Sequence, residues 1–596
     1  ATSCEPAAEP LAVEGASARN CRLRRLKSQG AELMARFNRL PRSLRFAIWL
    51  VIGIALPFAS SRFRGIRNPQ DVLIHDEMTY LVQADTFSRG RLTNPAPRHP
   101  EFFEAPYLLM EPTYQAKYPP AQALFLAIGQ RFAGQPIWGV WLTCGLFAAA
   151  LDWMLCGWVN RRWAMIGTAY GVAVLGITHS WATTYWGGMV AATGGALVLG
   201  GTRWTLRRWT SGRAVLTALG AVIVLNSRPY EGTVVCVACA PVLAAWLVRG
   251  STEARLQKTL AWCGPFLLVV ALGGVAMGVY NKAVTGSWIT PPYLLHPQQY
   301  DTCGMFRWQP INQVPKRHLT SRVGQFYEQD SLLNPGKPGG PQLGASAVVD
   351  EIRDGFLGLY QNFVSPMNLA PTATVWLTPT VRYGLRAVVL AMIIWFVCTS
   401  RRWGTLWAAW SVVILEVLAG GAVWWNLPHY HAPIVCLCYF LVVDSLRRVT
   451  VISRRTWLPR AVHIRYVVLF LFLLIPARLL ESQVERAFFP PATVPAPAAA
   501  TPQSVTSAPE ALTRPQLLAF LSRQKRPVLA VFAYDAAVSL HEEWVYNSAD
   551  LASQRVILAH DLGPQKLPLL IADFPGRDVW HVRVSPEGAT VRLDGG

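Results

Sequence analysis

Charged residues are scarce in this chain, and acidic residues are the scarcest of them. Only 15% of the 596 residues are charged, whereas 52% are hydrophobic and 24 are tryptophan. So low a charged fraction is atypical of a soluble protein, and the length exceeds that of one ordinary domain. The sequence therefore predicts a polytopic α-helical membrane protein.

The shortage of acids leaves a strongly basic chain. Its 34 acidic residues face 55 lysines and arginines, which gives a net charge of +21. Such an excess would suit a nucleic-acid partner, but the basic residues cluster in short loops between apolar segments. The clusters include Arg161-Arg162, Arg207-Arg208, Arg401-Arg402 and Arg447-Arg448. This is the positive-inside pattern, so membrane lipids are the expected partner and nucleic acid is not.

Two further features that the sequence lacks reduce the number of possible protein classes. Most of the eleven cysteines fall within apolar segments, and the outer loops offer essentially only Cys303, which excludes a disulfide framework. An internal repeat of the inverted-transporter kind is also missing from the sequence. Neither a disulfide-stapled ectodomain nor an inverted-repeat carrier is favoured.

Apolar segments alternate with polar loops and predict about eleven transmembrane helices. The spans are expected near 46–60, 137–159, 163–179, 181–200, 214–227, 231–249, 259–280, 383–400, 404–425, 429–446 and 464–479. Residues 61–117 contain seven basic and seven acidic residues, so this loop is charge-balanced and fits the outer side. Residues 119–133 are apolar but short, which favours an interfacial helix.

The same alternation divides the chain into parts. They are a basic cytoplasmic segment (1–45), a transmembrane domain (46–480) with outer loops 61–117 and 281–380, a Pro- and Ala-rich linker (490–509) and a small module (510–596). In that module the runs Val528–Tyr534, Val556–Ala559 and Val579–Val584 predict strands between helical stretches. An odd number of spans puts the N-terminus in the cytoplasm and this α/β module outside.

The polar residues with most chemical meaning follow the first span. Asp76 and Glu77 are adjacent carboxylates beside His75, a combination suited to acid–base chemistry. The competing interpretation is that the two acids only begin a helix, where the macrodipole favours them. At helical spacing Tyr80 shares a face with both, either as a pocket wall or in packing.

The order of the motifs resembles the GT-C superfamily of membrane glycosyltransferases, especially bacterial relatives of the protein O-mannosyltransferases and of the lipid A aminoarabinose transferase. Those enzymes carry an acidic motif in the first outer loop, matched here by Asp76-Glu77. A Lys/Tyr-Pro-Pro segment then leads to an interfacial helix, matched here by Lys117-Tyr118-Pro119-Pro120. The resemblance covers roughly residues 46–480. It implies an inverting transfer of a sugar from a polyprenyl-phosphate donor to an acceptor at the outer face of the bacterial inner membrane.

Residue roles follow from the resemblance. The first-loop carboxylate is expected to act as general base, with Asp76 the first choice and Glu77 either an alternative base or a ligand of metal or acceptor. The substrate pocket is expected to contain His75, Tyr80, Tyr118, Glu416 and His431. For Glu416, which lies within a predicted span, a protonated structural role is the alternative.

A lipid phosphate leaving group requires cationic or hydrogen-bonding partners. The expected residues are Lys117, Arg228 and His429, all placed by the predicted topology at the outer membrane face. Arg228 stands on the side where positive charge is disfavoured, with a snorkelling anchor as the alternative. Related enzymes tend to have Arg-Tyr-x-x-Pro where this chain has His429. As an alternative, His429 and His431 could ligate a metal ion. No cofactor is firmly predicted, and a bound divalent metal ion remains an alternative.

Two other function classes remain open from the sequence. A flippase or transporter for a lipid-linked sugar would share the basic outer groove but would need no general base. A non-catalytic envelope assembly protein would use residues 510–596 to recognise a polymer. For the transferase, the acceptor is an envelope glycolipid, polysaccharide or protein.

Overall fold

The structure is a computed structural model. It describes residues 32, 36, 37, 39–63, 74–300, 306–309, 320–332, 345–359, 403–423, 427–453 and 512–593. This part of the chain is mostly helical. Its helices are α1 (Arg42–Phe63), α2 (His75–Ser88), α3 (Pro120–Ala133), α4 (Ile137–Trp158), α5 (Arg161–Ala173), α6 (Met189–Arg207), α7 (Ser211–Leu225), α8 (Pro229–Val248), α9 (Thr252–Lys258), α10 (Gly264–Thr285), α11 (Pro292–Gln299), α12 (Ser321–Leu332), α13 (Ala345–Leu359), α14 (Trp403–Gly420), α15 (Val435–Ser453), α16 (Arg514–Ser522) and α17 (Leu567–Asp573).

Five helical stretches in the described ranges are long and apolar enough to cross a membrane. They are Arg42–Phe63, Ile137–Trp158, Pro229–Val248, Thr252–Thr285 and His429–Arg448. Two shorter apolar helices, Ser211–Leu225 and Ala408–Gly420, also coincide with predicted spans. The count of about eleven stays a prediction, and the spans expected at 383–400 and 464–479 lie outside the described residues.

Helix α10 presents a strip of exposed apolar side chains. Leu267, Leu268, Leu272 and Val275 each leave 61–63% of their surface uncovered. A strip of this kind is unfavourable in water but suits contact with lipid tails. The described structure therefore has the membrane character that the composition predicts.

The span predicted at 181–200 begins later than expected. Helix α6 starts at Met189, and Ser180–Ala182 instead forms a 3-10 turn. Helix α5 ends at Ala173 and continues as a π-helical turn to Thr178. The aromatic-rich segment 179–188 is therefore a loop between two helix ends, and it contacts the first turn of α2 through Tyr185.

Close backbone approaches bring distant segments together at these helix ends. A Cβ atom added at Gly195 of α6 would lie 1.8 Å from the Pro433 carbonyl oxygen, so glycine is needed for the Pro428–Ile434 turn to rest on α6. Helices α1 and α4 approach similarly at Gly53 and Gly145, where an added Cβ would lie 2.6–2.7 Å from backbone atoms. Small residues at helix crossings permit this packing in membranes.

The loop between α2 and α3 contains a small sheet of its own. Strands β1 (Asn94–Pro95), β2 (Leu108–Leu109) and β3 (Thr113–Ala116) form an antiparallel sheet in the order β1-β3-β2. The Gln83 side-chain amide donates hydrogen bonds to the Tyr118 carbonyl at 2.8 Å and to the Tyr280 hydroxyl at 2.7 Å. These bonds fix α2 against both the Lys117-Tyr118 segment and α10.

The C-terminal module is built on a four-stranded sheet in the order β5-β4-β6-β7. The strands are β4 (Val528–Tyr534), β5 (Val556–His560), β6 (Asp578–Ser585) and β7 (Gly588–Leu593). Strand β4 pairs in parallel with β5 and β6, and β7 runs antiparallel to β6. The three predicted strands are confirmed, whereas β7 was not predicted.

This module packs directly on the loop between α1 and α3. Its residues Leu529, Val531 and Ile557 share one buried apolar cluster with Phe102 and Phe103 of the loop. Apolar burial of this kind is the main stabilising contribution in a folded chain. The two segments therefore form one continuous core, although more than four hundred residues separate them in sequence.

Candidate active site

The acidic motif occupies the first turn of α2, which begins at His75. Asp76 and Glu77 therefore do stand where the helix dipole favours acids, but their side chains meet different partners. The Tyr118 hydroxyl donates a hydrogen bond to Asp76 Oδ1. Asp76 is half-buried, so its carboxylate is held by a partner and still has access to solvent.

Glu77 is buried and tied to the loop before α6. Its Oε1 accepts a hydrogen bond from the Tyr185 backbone N–H at 2.9 Å. Burial raises the pKa of Glu77 to about 7, the Tyr185 N–H opposes this rise, and the charge of Asp76 adds to it. The two adjacent carboxyl groups thus lie in contrasting environments.

His75 contacts the C-terminal module. Its Nδ1 lies 3.1 Å from the Tyr546 hydroxyl, and its ring centroid lies 4.9 Å from that of Phe326. Burial lowers the pKa of His75 to about 4, although the charges of Glu543 and Asp76 oppose the change. The imidazole is therefore neutral at pH 7, and it links the start of α2 to the module.

Two stacked tyrosines lie beside Asp76. The ring centroids of Tyr80 and Tyr118 are 4.6 Å apart and their planes are 15° from parallel. Burial raises the pKa of Tyr80, the charge of Arg228 lowers it, and the charge of Asp76 raises it. Tyr80 is thus within electrostatic range of both a carboxylate and a guanidinium.

Arg228 immediately precedes α8, near the same tyrosines. Its guanidinium carbon lies 4.5 Å from the centre of the Tyr430 ring. Burial lowers the pKa of Arg228, but the surrounding groups, led by Glu231, outweigh burial and raise the pKa above its usual value. Arg228 is therefore a permanent cation, held by an aromatic ring and partly balanced by an acid.

Lys117 adjoins the other tyrosine of the stack. Its Nζ lies 3.8 Å from the centre of the Tyr107 ring and 5.6 Å from that of Tyr118. Its backbone N–H donates to the Tyr107 carbonyl at 3.0 Å. The structure therefore brings Lys117 and Arg228 to the same tyrosine cluster, one near Tyr118 and the other near Tyr430.

The turn Pro428–Ile434 carries His429 and Tyr430 into this region. The His429 ring centroid lies 4.6 Å from that of Trp186 and 4.7 Å from that of Tyr430. His429 also lies within electrostatic range of Arg228. Three predicted phosphate-binding residues are thus collected around the Asp76 side of α2.

Glu416 and His431 occupy a different position from the other predicted pocket residues. Each side chain is 1% exposed, and Glu416 Oε1 lies 3.9 Å from His431 Nδ1. In the described part of the chain, no hydrogen-bond partner meets the carboxylate oxygens or the imidazole nitrogens. Both side chains are enclosed between packed helices, whereas the carboxylate of Asp76 has access to solvent.

Within the described ranges, the structure offers no converging ligand set for a metal. Among the described residues, no group of three or more histidine, cysteine, aspartate or glutamate side chains is placed to hold a metal ion. His429 packs against aromatic rings, whereas His431 faces Glu416. The alternative of a site built on these two histidines therefore gains no geometric support in this part of the chain.

Several contacts of the site were missed by sequence reasoning. Glu231 lies one helical turn after Arg228, and that spacing could have identified the two as a charge pair. Tyr430 belongs to the motif that contains His429, but only its neighbours were singled out. Tyr185 and Tyr546 reach the acidic motif from 108 and 471 residues away, and their spacing gives no local signal.

Comparison with known proteins returns structural similarity at low scores. No family model and no curated protein matches the sequence. Two crystal structures of the Archaeoglobus fulgidus oligosaccharyltransferase are similar, one in the apo form and one in complex with zinc and sulfate. Both structures are 11% identical to this chain, and each alignment covers 90% of it. The alignments cover 69% of the apo chain and 68% of the chain in the complex, and the TM-scores are 0.40 and 0.43. At scores this low, the similarity carries no argument about fold or function.

Proposed function

We propose that this protein is an integral membrane glycosyltransferase of the GT-C type. It transfers a sugar from a polyprenyl-phosphate donor to a hydroxyl or amine of an envelope glycolipid, polysaccharide or protein, at the outer face of the bacterial cytoplasmic membrane. The supporting observation is the position of Asp76, a half-buried carboxylate held by Tyr118. Asp76 and Arg228 both act electrostatically on Tyr80, so base and cation share one site.

Asp76 supplies the general base in this proposal. The acceptor oxygen or nitrogen attacks the anomeric carbon as its proton passes to the Asp76 carboxylate. The bond between that carbon and the phosphate oxygen breaks, and its electron pair leaves with the lipid phosphate. Because one carboxylate removes a proton and no enzyme nucleophile intervenes, the displacement inverts the anomeric configuration.

Glu77 is the weaker choice for the base. It is buried, and its Oε1 is engaged by the Tyr185 backbone N–H. Its pKa of about 7 leaves much of it protonated near neutral pH, when it cannot accept a proton. Its proposed role is to join α2 to the loop before α6 and so fix the orientation of Asp76.

The leaving phosphate is assigned to the cations around the tyrosine stack. Arg228 is held against Tyr430, and Lys117 against Tyr107, so both charges are oriented before the donor arrives. A preorganised cation stabilises developing negative charge without the cost of reorganisation. His429 adds a ring N–H donor beside Arg228.

The test compares purified wild-type protein with Asp76→Asn in liposomes that contain labelled polyprenyl-phosphate sugars and an envelope extract. Release of polyprenyl phosphate is measured. The proposal expects release by the wild type, and a loss of about 10²–10⁴-fold in the variant, the usual contribution of a general base. Equal release by both proteins contradicts the role of Asp76. Donor binding without release by either protein favours a lipid-linked sugar flippase and contradicts the transferase.

A further inference from the structure

A second site lies at the opposite ends of the helices, among the basic residues. A cavity of about 400 Å³ opens where α1 begins, α6 ends and α7 begins. Its volume lies within the range of small-molecule sites, roughly 300–1,000 Å³. It is lined by Arg42, Trp153, Trp204, Arg208, Thr210, Gly212, Arg213 and Leu216.

The described lining of the cavity gathers positive charge and contains no acidic residue. Arg42 and Arg208 both act electrostatically on Arg213, and none of the lining residues carries a carboxylate. A nearby arginine shows the contrast, because Arg45 donates to both carboxylate oxygens of Asp152 at 2.7 Å. Three guanidinium groups gathered without an acid favour an anionic ligand.

The walls of the cavity are partly apolar and partly preorganised. The Arg213 guanidinium carbon lies 4.8 Å from the centre of the Trp204 ring, and its Nη1 donates to the Trp204 carbonyl at 3.2 Å. The Trp204 indole N–H in turn donates to the Trp153 carbonyl at 2.9 Å. Arg213 is therefore held in place before a ligand binds, beside tryptophans of the kind that occupy membrane interfaces.

The N-terminal end of α7 adds a weaker positive potential to the cavity. The Thr210 side chain accepts a hydrogen bond from the Arg213 backbone N–H, and Thr210 and Gly212 line the cavity. The first turn of a helix presents N–H groups and the positive end of its dipole. The helix end and the three guanidinium groups thus favour the same class of ligand.

We propose that this cavity binds the phosphate group of an anionic membrane lipid. A phosphate diester matches the three guanidinium groups, and the tryptophan and leucine side chains match the adjoining glycerol and acyl region. A lipid fits better than free phosphate because the cavity lies between ends of apolar helices, including α1 and α4. Basic pockets between membrane helices on the cytoplasmic side bind acidic head groups in this way. The site is separate from Asp76, and it stands whether or not the protein is a transferase.

The test is a titration of delipidated full-length protein, in neutral detergent, with short-chain phosphatidylglycerol. Arg208→Gln/Arg213→Gln is compared with Arg249→Gln/Arg255→Gln, which removes two exposed basic residues outside the cavity lining. The cavity variant is expected to bind about 25-fold more weakly, or about fivefold for each arginine, the fold-change of roughly 1 kcal/mol per basic residue. The control variant is expected to bind like the wild type.

Three outcomes overturn the proposal. An equal loss of phosphatidylglycerol affinity in the cavity variant and the control variant means that binding depends on surface charge in general. Equal binding of phosphatidylcholine means that the anionic phosphate is not recognised. Binding of inorganic phosphate as tight as that of the lipid assigns the cavity to free phosphate. The thermal midpoint of the lipid-free variants is measured alongside, so that a folding defect is separated from a binding defect.

Discussion

Asp76 and Glu77 are sequence neighbours that the fold places in different environments. Tyr118 reaches Asp76 through a side-chain hydroxyl, whereas Tyr185 reaches Glu77 through a backbone N–H. The first carboxylate stays half-buried and the second is enclosed. The two carboxyl groups therefore differ in burial and in hydrogen-bond partner, although they adjoin in sequence.

The hydroxyl of Tyr118 is expected to support the base. In Tyr118→Phe the carboxylate of Asp76 loses the side-chain hydrogen bond that holds it in place. Hydrogen bonds to charged groups contribute about 1.5–3 kcal/mol, so kcat/KM should fall roughly tenfold to hundredfold. Steady-state kinetics of the two proteins measures this fall.

Tyr114→Phe is the matched control for this experiment. Its hydroxyl donates a buried hydrogen bond to the Asn547 carbonyl at 3.2 Å and is not bonded to Asp76. The control should lower stability without lowering kcat/KM. An equal fall in kcat/KM in both variants would remove Tyr118 from the mechanism.

Glu77 is expected to make stability depend on pH. Burial raises its pKa from 4.5 to about 7, so the folded protein retains a proton that the unfolded chain has already released. Its contribution to stability is complete below pH 4.5 and is lost as pH rises through 7. Between those limits the wild type should lose roughly 3 kcal/mol relative to Glu77→Gln.

Thermal midpoints of both proteins at pH 5, 6.5 and 8 measure this effect. Glu77→Gln keeps an oxygen acceptor for the Tyr185 N–H, so the comparison isolates ionisation from the hydrogen bond. Curves that stay parallel across this range would show that Glu77 is already ionised in the folded protein.

At the scale of elements, the C-terminal module supports the start of α2. The Tyr546 hydroxyl donates to the Pro106 carbonyl at 2.9 Å and contacts His75. The module also shares a buried apolar cluster with the first loop. Deleting residues 490–596 would therefore expose part of the core, and point variants separate the roles of module and site more cleanly.

A buried ion pair ties the module to helix α12. Arg322 Nε lies 3.2 Å from Glu543 Oε2, with side chains 13% and 1% exposed. Burial raises the pKa of Glu543, but nearby groups including His560 and Arg322 lower it below its usual value, so the acid is charged at neutral pH. Arg322→Gln removes the guanidinium that pairs with this buried charge and should destabilise the protein by about 3 kcal/mol.

Arg583→Gln provides the control. Arg583 pairs with Asp535 at 2.7 Å, but these side chains are 72% and 31% exposed. Exposed pairs contribute at most about 1 kcal/mol, so the thermal midpoint should change little. Equal destabilisation by Arg322→Gln and Arg583→Gln would show that the α12 contact is not a buried, stabilising pair.

Elements with strong local patterns could be predicted from the sequence. Hydropathy located the apolar helices α4 and α8, and the apolar runs located β4, β5 and β6. The start of α6 was misplaced because apolar and aromatic residues continue through a loop that the structure folds as a 3-10 turn. Hydropathy measures transfer from water, and it does not distinguish a buried loop from a span.

The candidate site was predictable only where its residues are close in sequence. The run His75 to Tyr80 carries the acids and one tyrosine on a single helix, so periodicity related them. The partners that separate Asp76 from Glu77 come from other loops through tertiary contacts. Burial, which sets the protonation of Glu77 and His75, has no local sequence signal of its own.

At the scale of the whole molecule, the helix ends differ in charge. Asp76 and the tyrosine stack lie at one end, and the arginine-lined cavity at the other. By the positive-inside rule, we propose that the arginine-rich end faces the cytoplasm and the acidic motif the outer side. The proposed transfer depends on this orientation, because the acceptor belongs to the envelope.

Cysteine labelling tests the orientation. Arg98→Cys in the first outer loop and Arg255→Cys in α9 each replace an exposed arginine. In intact cells, a membrane-impermeant thiol reagent should label the first variant and spare the second, with unsubstituted protein as the background. Labelling of the Arg255 variant alone would show the opposite orientation, and it would contradict an active site on the outer side.

The most direct measurement pairs donor binding with single-turnover transfer for wild type, Asp76→Asn and Arg228→Gln. The account predicts that Asp76→Asn binds the polyprenyl-phosphate sugar like the wild type but transfers it about 10²–10⁴-fold more slowly. Arg228→Gln should instead lose donor affinity, because the phosphate loses a preorganised cation. Wild-type transfer rates in Asp76→Asn would contradict the central claim that this carboxylate is the base.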